Sequence, residues 1–368
     1  MKIGVDGFPL SSRLAGIGNY TYGLLRPLAE MMPDCEFVVF TYAPLVKEVD
    51  LDLPNIRIEI ASSRMWESPY LWKLHGLAKQ AAGEKIDVFW ASSGILPFRM
   101  PCRVVQTVYD FVYRIEGETM TWIGRLFRSL SQPYWIKQAD KVITISQAVD
   151  AEMGRFYGRA ADAVIKPAAN DIFVRKSVRE IEDVRMRYGV TRDYVLIVGT
   201  REPRKNLTVF INAYLEFANK LGSGIPLLLI TGGVGWKDAS IARALNEAEQ
   251  RGVAKAIGYV DIKDLPAIYS GAMIFFMPSR YEGFGMPVLE ARMCGCRVVC
   301  SDIPAMREAG GNGAHYHAPT PRGIAAALEK LLIRGELPEP SSGRDVDWSW
   351  ETGAKQLGHL LREVGAMV

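Results

Sequence analysis

The sequence lacks several features that would assign it to a class at once. Its N-terminus, MKIGVDGFPL, has no apolar segment followed by a cleavage site, and no uninterrupted apolar run is long enough to span a bilayer. Five cysteines, an odd number in a chain of 368 residues, agree with a reducing compartment. These absences favour a cytoplasmic protein, either soluble or attached peripherally to the cytoplasmic membrane.

Strong charge and histidine-based chemistry are absent as well. The net charge of +3 is too mild to indicate a nucleic-acid partner, and the four histidines form no Ser-His-Asp or Cys-His arrangement. Cys294, Cys296 and Cys300 lie near His315 and His317, but they lack the C-x2-C spacing of a zinc site. The run CGCRVVC is typical of a turn that enters a buried strand. We therefore expect no metal, no cofactor and no nucleic acid.

What is present is an alternation of strands and helices. Short apolar runs such as CEFVVFTY and KVITIS alternate with helical patterns in the first half, and YVLIVGT, IPLLLITG and MIFFMPS do so in the second. This alternation predicts an α/β protein with two doubly wound parallel sheets. We place an N-terminal domain at 1–170, a linker at 171–190, where the rhythm is lost, and a C-terminal domain at 191–346. A last helix at 347–368 is expected to pack back on the first domain.

Ligands of such sheets bind beyond the carboxyl ends of the strands, so functional residues are expected on loops that follow strands. The first such loop is VGTREPRKNL, in which Arg201, Arg204 and Lys205 cluster where a helix begins. Cations beside a helix N-terminus favour an anion, most naturally a phosphate. The alternative is a solvated basic loop in which Asn206 caps the helix.

The second loop is PSRYEGFGMPVLEARMCG, which follows MIFFMPS. Gly283 and Gly285 relieve steric crowding, and Pro287 is tolerated in the first turn of the helix that starts there. The free N–H groups of that turn point towards the ligand side, and Glu290 suits a diol such as a ribose. Glu282 lies before the turn, and a pair of carboxylates also suggests acid–base work. Alternatively, Glu290 only complements the helix dipole and Glu282 is a surface residue, which leaves the glycines unexplained.

Two further loops lie in the first half. In AGIGNY, Gly16 and Gly18 let a backbone approach a ligand, although a lone G-x-G is more often a turn. The third glycine of a dinucleotide fingerprint is missing. In TVYDFVY, Asp110 follows a strand and is expected to face the ligand, or else to serve as a cap or turn residue.

Together these residues resemble glycosyltransferase family 4, the retaining GT-B enzymes, over nearly the whole chain. GIGNYTYGLL resembles the family's N-terminal glycine loop. VGTREPRKNL, GYVDIKDLPAIYSGA and PSRYEGFGMPVLEARMCGCRVVCSDIPAMREAGG follow in the family's order, and WSWETGAKQL resembles its C-terminal tail. The resemblance implies two Rossmann-like domains that face each other across a cleft, with a nucleotide-sugar donor bound by the second.

The resemblance also implies a role for each matching position. Arg204 and Lys205 would pair with the donor diphosphate and stabilise the leaving group. Glu282 would lie near the donor sugar, Glu290 would bind the ribose, and the base would lie near the sequence GYV. The residues implied in donor binding are Gly16, Gly18, Tyr109, Thr200, Tyr259, Val260, Gly283, Phe284, Gly285, Met286 and Glu290. The residues implied in the reaction are Asp110, Arg204, Lys205 and Glu282.

One position departs from the family pattern. Many relatives carry His-Asp where this chain has Tyr109 and Asp110. Tyrosine is a poor base near neutral pH, so a role as a base does not carry over, although Tyr109 could donate a hydrogen bond to a sugar hydroxyl. The family is usually explained by front-face attack, in which the leaving phosphate takes the acceptor proton. That route needs neither the histidine nor a metal.

The implied function is a retaining, metal-independent hexosyltransferase. Overall likeness favours mannose from GDP-mannose, with a saccharide or lipid-linked acceptor in bacterial polysaccharide or O-antigen assembly. Another donor, such as UDP-glucose or a deoxyhexose nucleotide, is an alternative. The missing histidine keeps open a catalytically silent GT-B protein that binds a partner. A dinucleotide oxidoreductase is disfavoured because no full G-x-G-x-x-G is present.

The acceptor side shows one compositional feature. The segment 119–141 mixes aromatic residues with the cations Arg125, Arg128, Lys137 and Lys141, against the single acid Asp140. Such a segment fits a helix that lies on an anionic membrane and reaches a lipid-linked acceptor. It also fits an ordinary helix whose cations cover apolar surface with their stems, which the sequence slightly favours.

Overall fold

The computed structural model of the protein describes residues 1–61, 68–236, 238–341, 343 and 345–367. Within these ranges the chain forms two compact units. The first comprises Met1–Phe111, Ile123–Ala168 and Trp348–Val368, and the second comprises Val112–Trp122 and Ala169–Asp347. Each unit is built around its own parallel sheet.

The strands of the described residues follow one another along the chain with helices between most of them. Their bounds are β1 Lys2–Asp6, β2 Glu36–Thr41, β3 Ile56–Ile60, β4 Val88–Ala91, β5 Arg103–Val108, β6 Lys141–Thr144, β7 Ala163–Val164, β8 Tyr194–Val198, β9 Leu227–Thr231, β10 Ala254–Gly258, β11 Ile274–Met277, β12 Val298–Ser301 and β13 Ala314–His317.

The α-helices range from single turns to more than four turns. Their bounds are α1 Gly16–Met31, α2 Pro69–Leu71, α3 Leu77–Gly83, α4 Val112–Ile115, α5 Trp122–Gln138, α6 Gln147–Tyr157, α7 Val178–Arg187, α8 Leu207–Leu221, α9 Ala239–Gln250, α10 Leu265–Ser270, α11 Met286–Met293, α12 Pro304–Gly310, α13 Pro321–Leu328 and α14 Trp350–Gly365. Between α2 and α3, residues Trp72–Gly76 continue as one π-helical turn.

The two sheets have the same doubly wound topology, which confirms the predicted fold class. The strand order is β3-β2-β1-β4-β5-β6-β7 in the first unit and β10-β9-β8-β11-β12-β13 in the second. Every strand pair of the described residues is parallel. In each sheet the order reverses once, between β1 and β4 and between β8 and β11. Ligands of open α/β sheets bind at this reversal.

The strands form because continuous apolar runs can be buried on both faces of a parallel sheet. All of β4, β9 and β12 is buried between helices. In the second unit, α8 packs on the sheet through Phe210, whose ring lies 4.6 Å from that of Phe276 between centroids. Burying such an aromatic side chain stabilises a fold by roughly 1.5–3 kcal/mol.

The segment 171–190, suggested by the sequence as a linker, contains helix α7 and belongs to the second unit. The helix starts with a capping box: the Ser177 side chain accepts from the Glu180 amide, and the Glu180 carboxylate accepts from the Ser177 amide. Along the helix, Val184 is buried. The irregular sequence before α7 therefore leads into an ordered element of the second unit.

The C-terminal helix α14 packs on α1 within the first unit. The indole of Trp350 lies directly over Gly23, where an added Cβ would meet it at 2.5 Å. Leu357 and Leu361 on α14 are fully buried. A glycine at position 23 is therefore required for this close helix–helix approach.

Candidate active site

The predicted donor-binding loops follow β8 and β11, the two strands between which the order of the second sheet reverses. The loop after β8 carries Arg204 and Lys205, and the loop after β11 carries Glu282. The carboxyl ends of neighbouring parallel strands lie at the same sheet edge, so the fold alone brings these loops together.

Glycine sets the path of the loop after β8. Gly199 has φ +136°, and its amide donates to the Thr231 carbonyl at 2.9 Å. A Cβ on Gly232 would lie 2.2 Å from the Gly199 carbonyl oxygen, so the loops after β8 and β9 touch backbone to backbone. The Arg201 amide donates to the Gly233 carbonyl at 3.0 Å and continues the contact.

The loop then forms a 3-10 turn, Pro203–Lys205, before α8. Asn206 adopts a left-handed conformation with φ +62°. Its side chain donates to the Pro319 carbonyl at 3.3 Å and does not cap α8. The alternative of a solvated loop with Asn206 as its helix cap is therefore wrong, because this side chain is buried and used elsewhere.

Arg204 and Lys205 converge on the buried carboxylate of Glu282. Arg204 Nη1 lies 2.5 Å from Glu282 Oε2, and Lys205 Nζ lies 2.7 Å from Glu282 Oε1. Arg204 Nε also donates to Glu202 Oε2 at 2.8 Å. The site is thus a nearly neutral cluster of two cations and two carboxyl groups, and the interpretation of Glu282 as a surface residue is wrong.

The two carboxyl groups of this cluster differ in their pKa. Burial by itself raises the pKa of Glu282, but Arg204 and Lys205 outweigh burial and bring the pKa to about 2. Burial raises the pKa of Glu202, and the same two cations only partly offset that increase. Glu282 is therefore the carboxylate that both cations stabilise as an anion.

Hydrogen bonds between the loops fix this geometry. The Arg280 amide donates to the Arg204 carbonyl at 2.8 Å, and Arg204 Nη1 donates to the Tyr281 carbonyl at 3.1 Å. Ser279 Oγ donates to Glu282 Oε1 at 2.9 Å. The side chains of the cluster are held by neighbours in both loops, which favours a preorganised arrangement.

Helix α11 begins directly after this loop. Gly285 precedes it with φ +119°, a conformation that side-chain-bearing residues rarely adopt, and a Cβ there would lie 3.0 Å from Met306 Sδ. Phe284 is buried, and α11 starts at Met286 with Pro287 in its first turn. Gly285 is needed for the sharp turn into α11, which brings the amides of the first helical turn close to the loop that carries Glu282.

Glu290 lies on α11 and is buried. Tyr269 on α10 donates its hydroxyl to Glu290 Oε2 at 2.8 Å. Burial raises the pKa of Glu290 to about 7, although the Tyr269 hydrogen bond and the charge of Lys205 act in the opposite direction. This carboxyl group is therefore poised to change its protonation state near neutral pH.

The remaining predicted residues of the second unit lie near the carboxyl ends of its strands. Thr200 is exposed after β8, and Gly283 is half-buried beside the cluster. Tyr259 and Val260 follow β10, the former exposed and the latter buried. The sheet thus places Thr200, Gly283 and Tyr259 at one edge with Arg204 and Lys205.

The predicted residues of the first unit lie at the carboxyl edge of its own sheet. Gly16 and Gly18 lie in the first turn of α1, which differs from the expected glycine loop because the helix begins at Gly16 itself. Tyr109 is buried and donates its hydroxyl to the Ser92 carbonyl at 2.5 Å. Burial raises its pKa well above the ordinary range. Asp110 follows and is half-buried.

Three side chains of the site were missed by the sequence reasoning: Glu202, Ser279 and Tyr269. Glu202 lies two residues before Arg204, so its position in the basic loop was the available signal. Ser279 and Tyr269 carried none, because their roles depend on a loop crossing and on packing between α10 and α11. Within the described ranges, no three His, Cys, Asp or Glu side chains gather as they would around a metal ion.

The described residues contain no helix that combines the length and the apolar character needed to cross a membrane.

Comparison with known families gives two matches that together cover most of the chain. Residues 14–168 match the model described as Glycosyltransferase Family 4, and residues 179–341 match the model described as Glycosyl transferases group 1. The first range contains the predicted glycines of α1, and the second contains the whole cluster around Glu282.

Individual proteins agree with these matches. The chain is 29% identical to the O-antigen chain mannosyltransferase B of Escherichia coli, over 97% of this chain and 98% of that protein. It is 24% identical to a D-inositol 3-phosphate glycosyltransferase of Corynebacterium jeikeium, over 92% and 90% of the two chains.

Solved structures support the fold. Sucrose-phosphate synthase from Thermosynechococcus elongatus superposes with a TM-score of 0.76 at 18% identity, over the full length of both chains. HepE of Anabaena, in complex with UDP-glucose, superposes with a TM-score of 0.67 at 16% identity, over 100% of this chain and 98% of that one. Two doubly wound units, the two family matches and these superpositions agree, and the chain belongs to glycosyltransferase family 4, with the GT-B fold.

Proposed function

We propose that the protein is a retaining, metal-independent mannosyltransferase that uses GDP-mannose. The observation that carries this proposal is the convergence of Arg204 and Lys205 on Glu282 at the reversal point of the second sheet. Mannose as the transferred sugar is inferred from the similar O-antigen chain mannosyltransferase of Escherichia coli, and GDP as its carrier from the family resemblance. The same likeness supports a saccharide or lipid-linked acceptor in bacterial polysaccharide or O-antigen assembly.

In this proposal Arg204 and Lys205 bind the donor diphosphate. Both side chains are partly exposed, so an anion can reach them. Negative charge grows on the phosphate as its bond to the sugar breaks, and fixed cations stabilise that charge. Because Glu282 already engages both cations, the diphosphate must share or replace those contacts, and the carboxylate then lies next to the donor sugar.

The transfer step itself needs no side chain as a base. The acceptor hydroxyl attacks the anomeric carbon on the face from which the diphosphate leaves. The carbon–phosphate-oxygen bond breaks, the new glycosidic bond forms, and the hydroxyl proton passes to the departing phosphate oxygen. Tyr109 is not a base in this step, because its hydroxyl is donated to a backbone carbonyl and its pKa is raised. Asp110 is proposed to act on the acceptor side.

Glu290 is proposed to bind the ribose. Tyr269 fixes the orientation of the carboxyl group through Oε2, so the group loses little conformational freedom when a diol arrives. The base is proposed to lie near Tyr259 and Val260, and the amides of Phe284, Gly285 and Met286 to hold phosphate or sugar hydroxyls. Gly16 and Gly18 would leave room for the donor diphosphate, and Thr200 would contact it.

A thermal-shift screen with GDP, UDP, TDP and ADP, and with their sugars, tests the donor assignment. A ligand that binds only the folded state raises the unfolding temperature in proportion to its affinity. We expect GDP and GDP-mannose to give the largest increase. A larger shift with UDP or TDP would replace mannose by another hexose or a deoxyhexose, and no shift with any nucleotide would favour a non-catalytic protein.

A transfer assay tests the reaction type. The anomeric configuration of the product, read by NMR, is expected to match that of the donor, and inversion would overturn the front-face step. Treatment with EDTA is expected to leave the rate unchanged. Loss of transfer in EDTA with recovery on adding a divalent cation would contradict the metal-independent proposal.

A further inference from the structure

Helix α5 has an unusual distribution of apolar residues. Trp135 and Ile136 are buried against the first unit, as expected for a surface helix. Trp122, Leu126 and Leu130 are nevertheless exposed, with Trp122 at 74% and Leu130 at 70% of their surface. An ordinary amphipathic helix buries its apolar stripe and presents polar residues to water. Here a second apolar stripe faces outward.

Helix geometry shows that the exposed residues form one continuous face. Successive residues of an α-helix are rotated by about 100°, so Trp122, Ile123, Leu126 and Leu130 fall within an arc of about 100°. The buried residues Ser131, Gln132 and Trp135 fall on the opposite side, and the buried Ile136 lies at the edge of the apolar arc, about 40° from Trp122. An ordinary helix whose cations cover apolar surface is not favoured by this arrangement, because the apolar stripe itself is exposed.

The apolar face continues beyond the helix. Phe98, half exposed, packs against Tyr134 of α5 with ring centroids 6.1 Å apart, and the Tyr134 hydroxyl donates to the Phe98 carbonyl at 2.6 Å. Arg99 follows Phe98 and is exposed. The loop and the helix therefore share one outward surface, which we call the α5 face: Phe98, Trp122, Ile123, Leu126 and Leu130.

The charges on helix α5 have one sign. Helix α5 carries Arg125, Arg128 and Lys137 and has no acidic residue. Arg125 and Lys137 are exposed, Lys137 lying within the apolar arc at its C-terminal end and Arg125 about 60° outside its edge. The nearest preceding acid, Glu118, lies before the helix begins.

We propose that the α5 face binds the surface of an anionic lipid bilayer, with α5 parallel to the membrane plane. Apolar side chains would enter the boundary between headgroups and acyl chains, and Arg99, Arg125 and Lys137 would contact anionic headgroups. A second copy of the chain is disfavoured as the occupant, because a two-fold contact through α5 would oppose like charges with no acid on the helix to pair them. The proposal does not depend on the identity of the donor sugar.

Co-sedimentation of the full-length protein with vesicles tests the proposal. We expect binding to vesicles of phosphatidylcholine mixed with phosphatidylglycerol, much weaker binding to phosphatidylcholine alone, and a decrease as salt is raised. Leu126→Glu with Leu130→Glu is expected to lower the partition coefficient by about tenfold or more for each leucine. Arg125→Gln with Lys137→Gln is expected to lower it by about fivefold for each cation.

A matched control is available on α7 of the second unit. Val178 and Met186 are at least as exposed as the leucines of α5, at 71% and 73% against 52% and 70%, and Val178→Glu with Met186→Glu adds the same charge. This variant is expected to bind vesicles like the wild type. Equal unfolding temperatures of the variants would show that any difference arises at the membrane surface.

Three results would overturn the proposal: no binding of the wild type to anionic vesicles, equal losses in the α5 and α7 variants, or dimers that dissociate only in the α5 variant. The last result would make the α5 face an interface between copies of the chain. If the leucine variant does not fold, the variant of the exposed Arg125 and Lys137 decides alone, and unchanged binding in that variant overturns the proposal. Thermal shifts with nucleotides are independent of vesicle binding, so this proposal and the proposed donor can fail separately.

Discussion

The two sheets share one strand order, and each places a lysine–carboxylate pair at its reversal point. In the first unit Lys73 Nζ lies 3.0 Å from Asp6 Oδ2, where β1 ends. In the second unit Lys205 Nζ lies 2.7 Å from Glu282 Oε1, between the loops after β8 and β11. The same topology therefore produces the same kind of ion pair twice.

The surroundings of the two pairs differ. Lys73 and Asp6 are 1% and 0% exposed, Ser93 bonds to both, and the Lys73 ammonium lies 4.4 Å above the Phe8 ring. Burial lowers the pKa of Lys73, and Asp6 only partly offsets it. Lys205 and Arg204 instead keep 12% and 20% of their side chains exposed.

This difference teaches how one topology supports either structure or ligand binding. A closed pair such as Lys73 and Asp6 satisfies its charges internally and offers nothing to a ligand. An open pair beside a second cation leaves positive charge within reach of an anion. The first is expected to matter for stability and the second for transfer.

Lys73→Ala is expected to give the largest effect, on stability. Removing one partner leaves the buried Asp6 charge uncompensated, which costs roughly 3–5 kcal/mol of unfolding free energy. Urea unfolding measures the change. Asp6→Asn with Lys73→Met, which removes both charges, is expected to recover much of the loss, and equal losses in the single and double variants would contradict the pairing.

Lys205→Ala is expected to lower transfer more than it lowers stability. Removing one fixed group that stabilises charge developing in the transition state typically costs about 2.7–4 kcal/mol of transition-state free energy, or about 100- to 1,000-fold in rate. Steady-state kinetics of sugar transfer measures it, with Lys255→Ala, in the same unit, as the matched control. Wild-type activity in Lys205→Ala would show that Lys205 does not stabilise the donor diphosphate.

Glu290 is expected to make donor binding pH-dependent. A ribose diol donates to the carboxylate, so binding favours the ionised form and nucleotide affinity is expected to rise by about tenfold between roughly pH 6 and 8, because the pKa of Glu290 lies at about 7. The pH dependence of stability has the opposite sign. The folded state retains a proton that the unfolded chain releases, so stability falls as pH rises from the ordinary pKa of a glutamate towards the raised pKa of Glu290.

Isothermal titration with the nucleotide at several pH values measures this effect. In Glu290→Gln the pH dependence of nucleotide affinity is expected to disappear. The decrease in stability with rising pH is expected to disappear as well. A nucleotide affinity that does not depend on pH in the wild type would show that Glu290 does not bind the ribose.

Glu202→Gln is expected to give the smallest effect, of severalfold to about tenfold in kcat, because it removes a charge-assisted hydrogen bond that holds Arg204. Glu202 acts through Arg204, so KM for the acceptor should not change, whereas Glu202→Asp is expected to restore part of the rate. Equal losses in the Gln and Asp variants would indicate a packing role only.

Strong local patterns made the two sheets predictable. RVVCSD and IPLLLITG are continuous apolar runs, and β12 and β9 occupy them because a parallel sheet buries both faces. The two-residue strand β7 was not predicted, since two residues carry no periodicity. The predicted α/β fold of two doubly wound sheets is therefore confirmed, while the roles of the site residues stay predictions.

The site was predictable where residue type and loop position coincide, as at Arg204 and Lys205. It was not predictable where a hydrogen bond between distant segments determines the role of a side chain. The sequence allowed Tyr109 to donate its hydroxyl to a sugar, yet that hydroxyl donates to the Ser92 carbonyl, 17 positions earlier in the chain. The Tyr269–Glu290 contact likewise depends on how α10 packs against α11.

The docking of α14 on α1 has a consequence for the order of folding during synthesis. The first unit needs residues from Trp348 onward to bury Gly23 under Trp350, whereas the second unit ends at Asp347. We therefore expect the second unit to close first on the ribosome, although it is encoded later than most of the first. Pulse proteolysis of stalled nascent chains in which an unstructured extension carries Asp347 out of the ribosomal exit tunnel would reveal a protected second unit and a cleavable first unit.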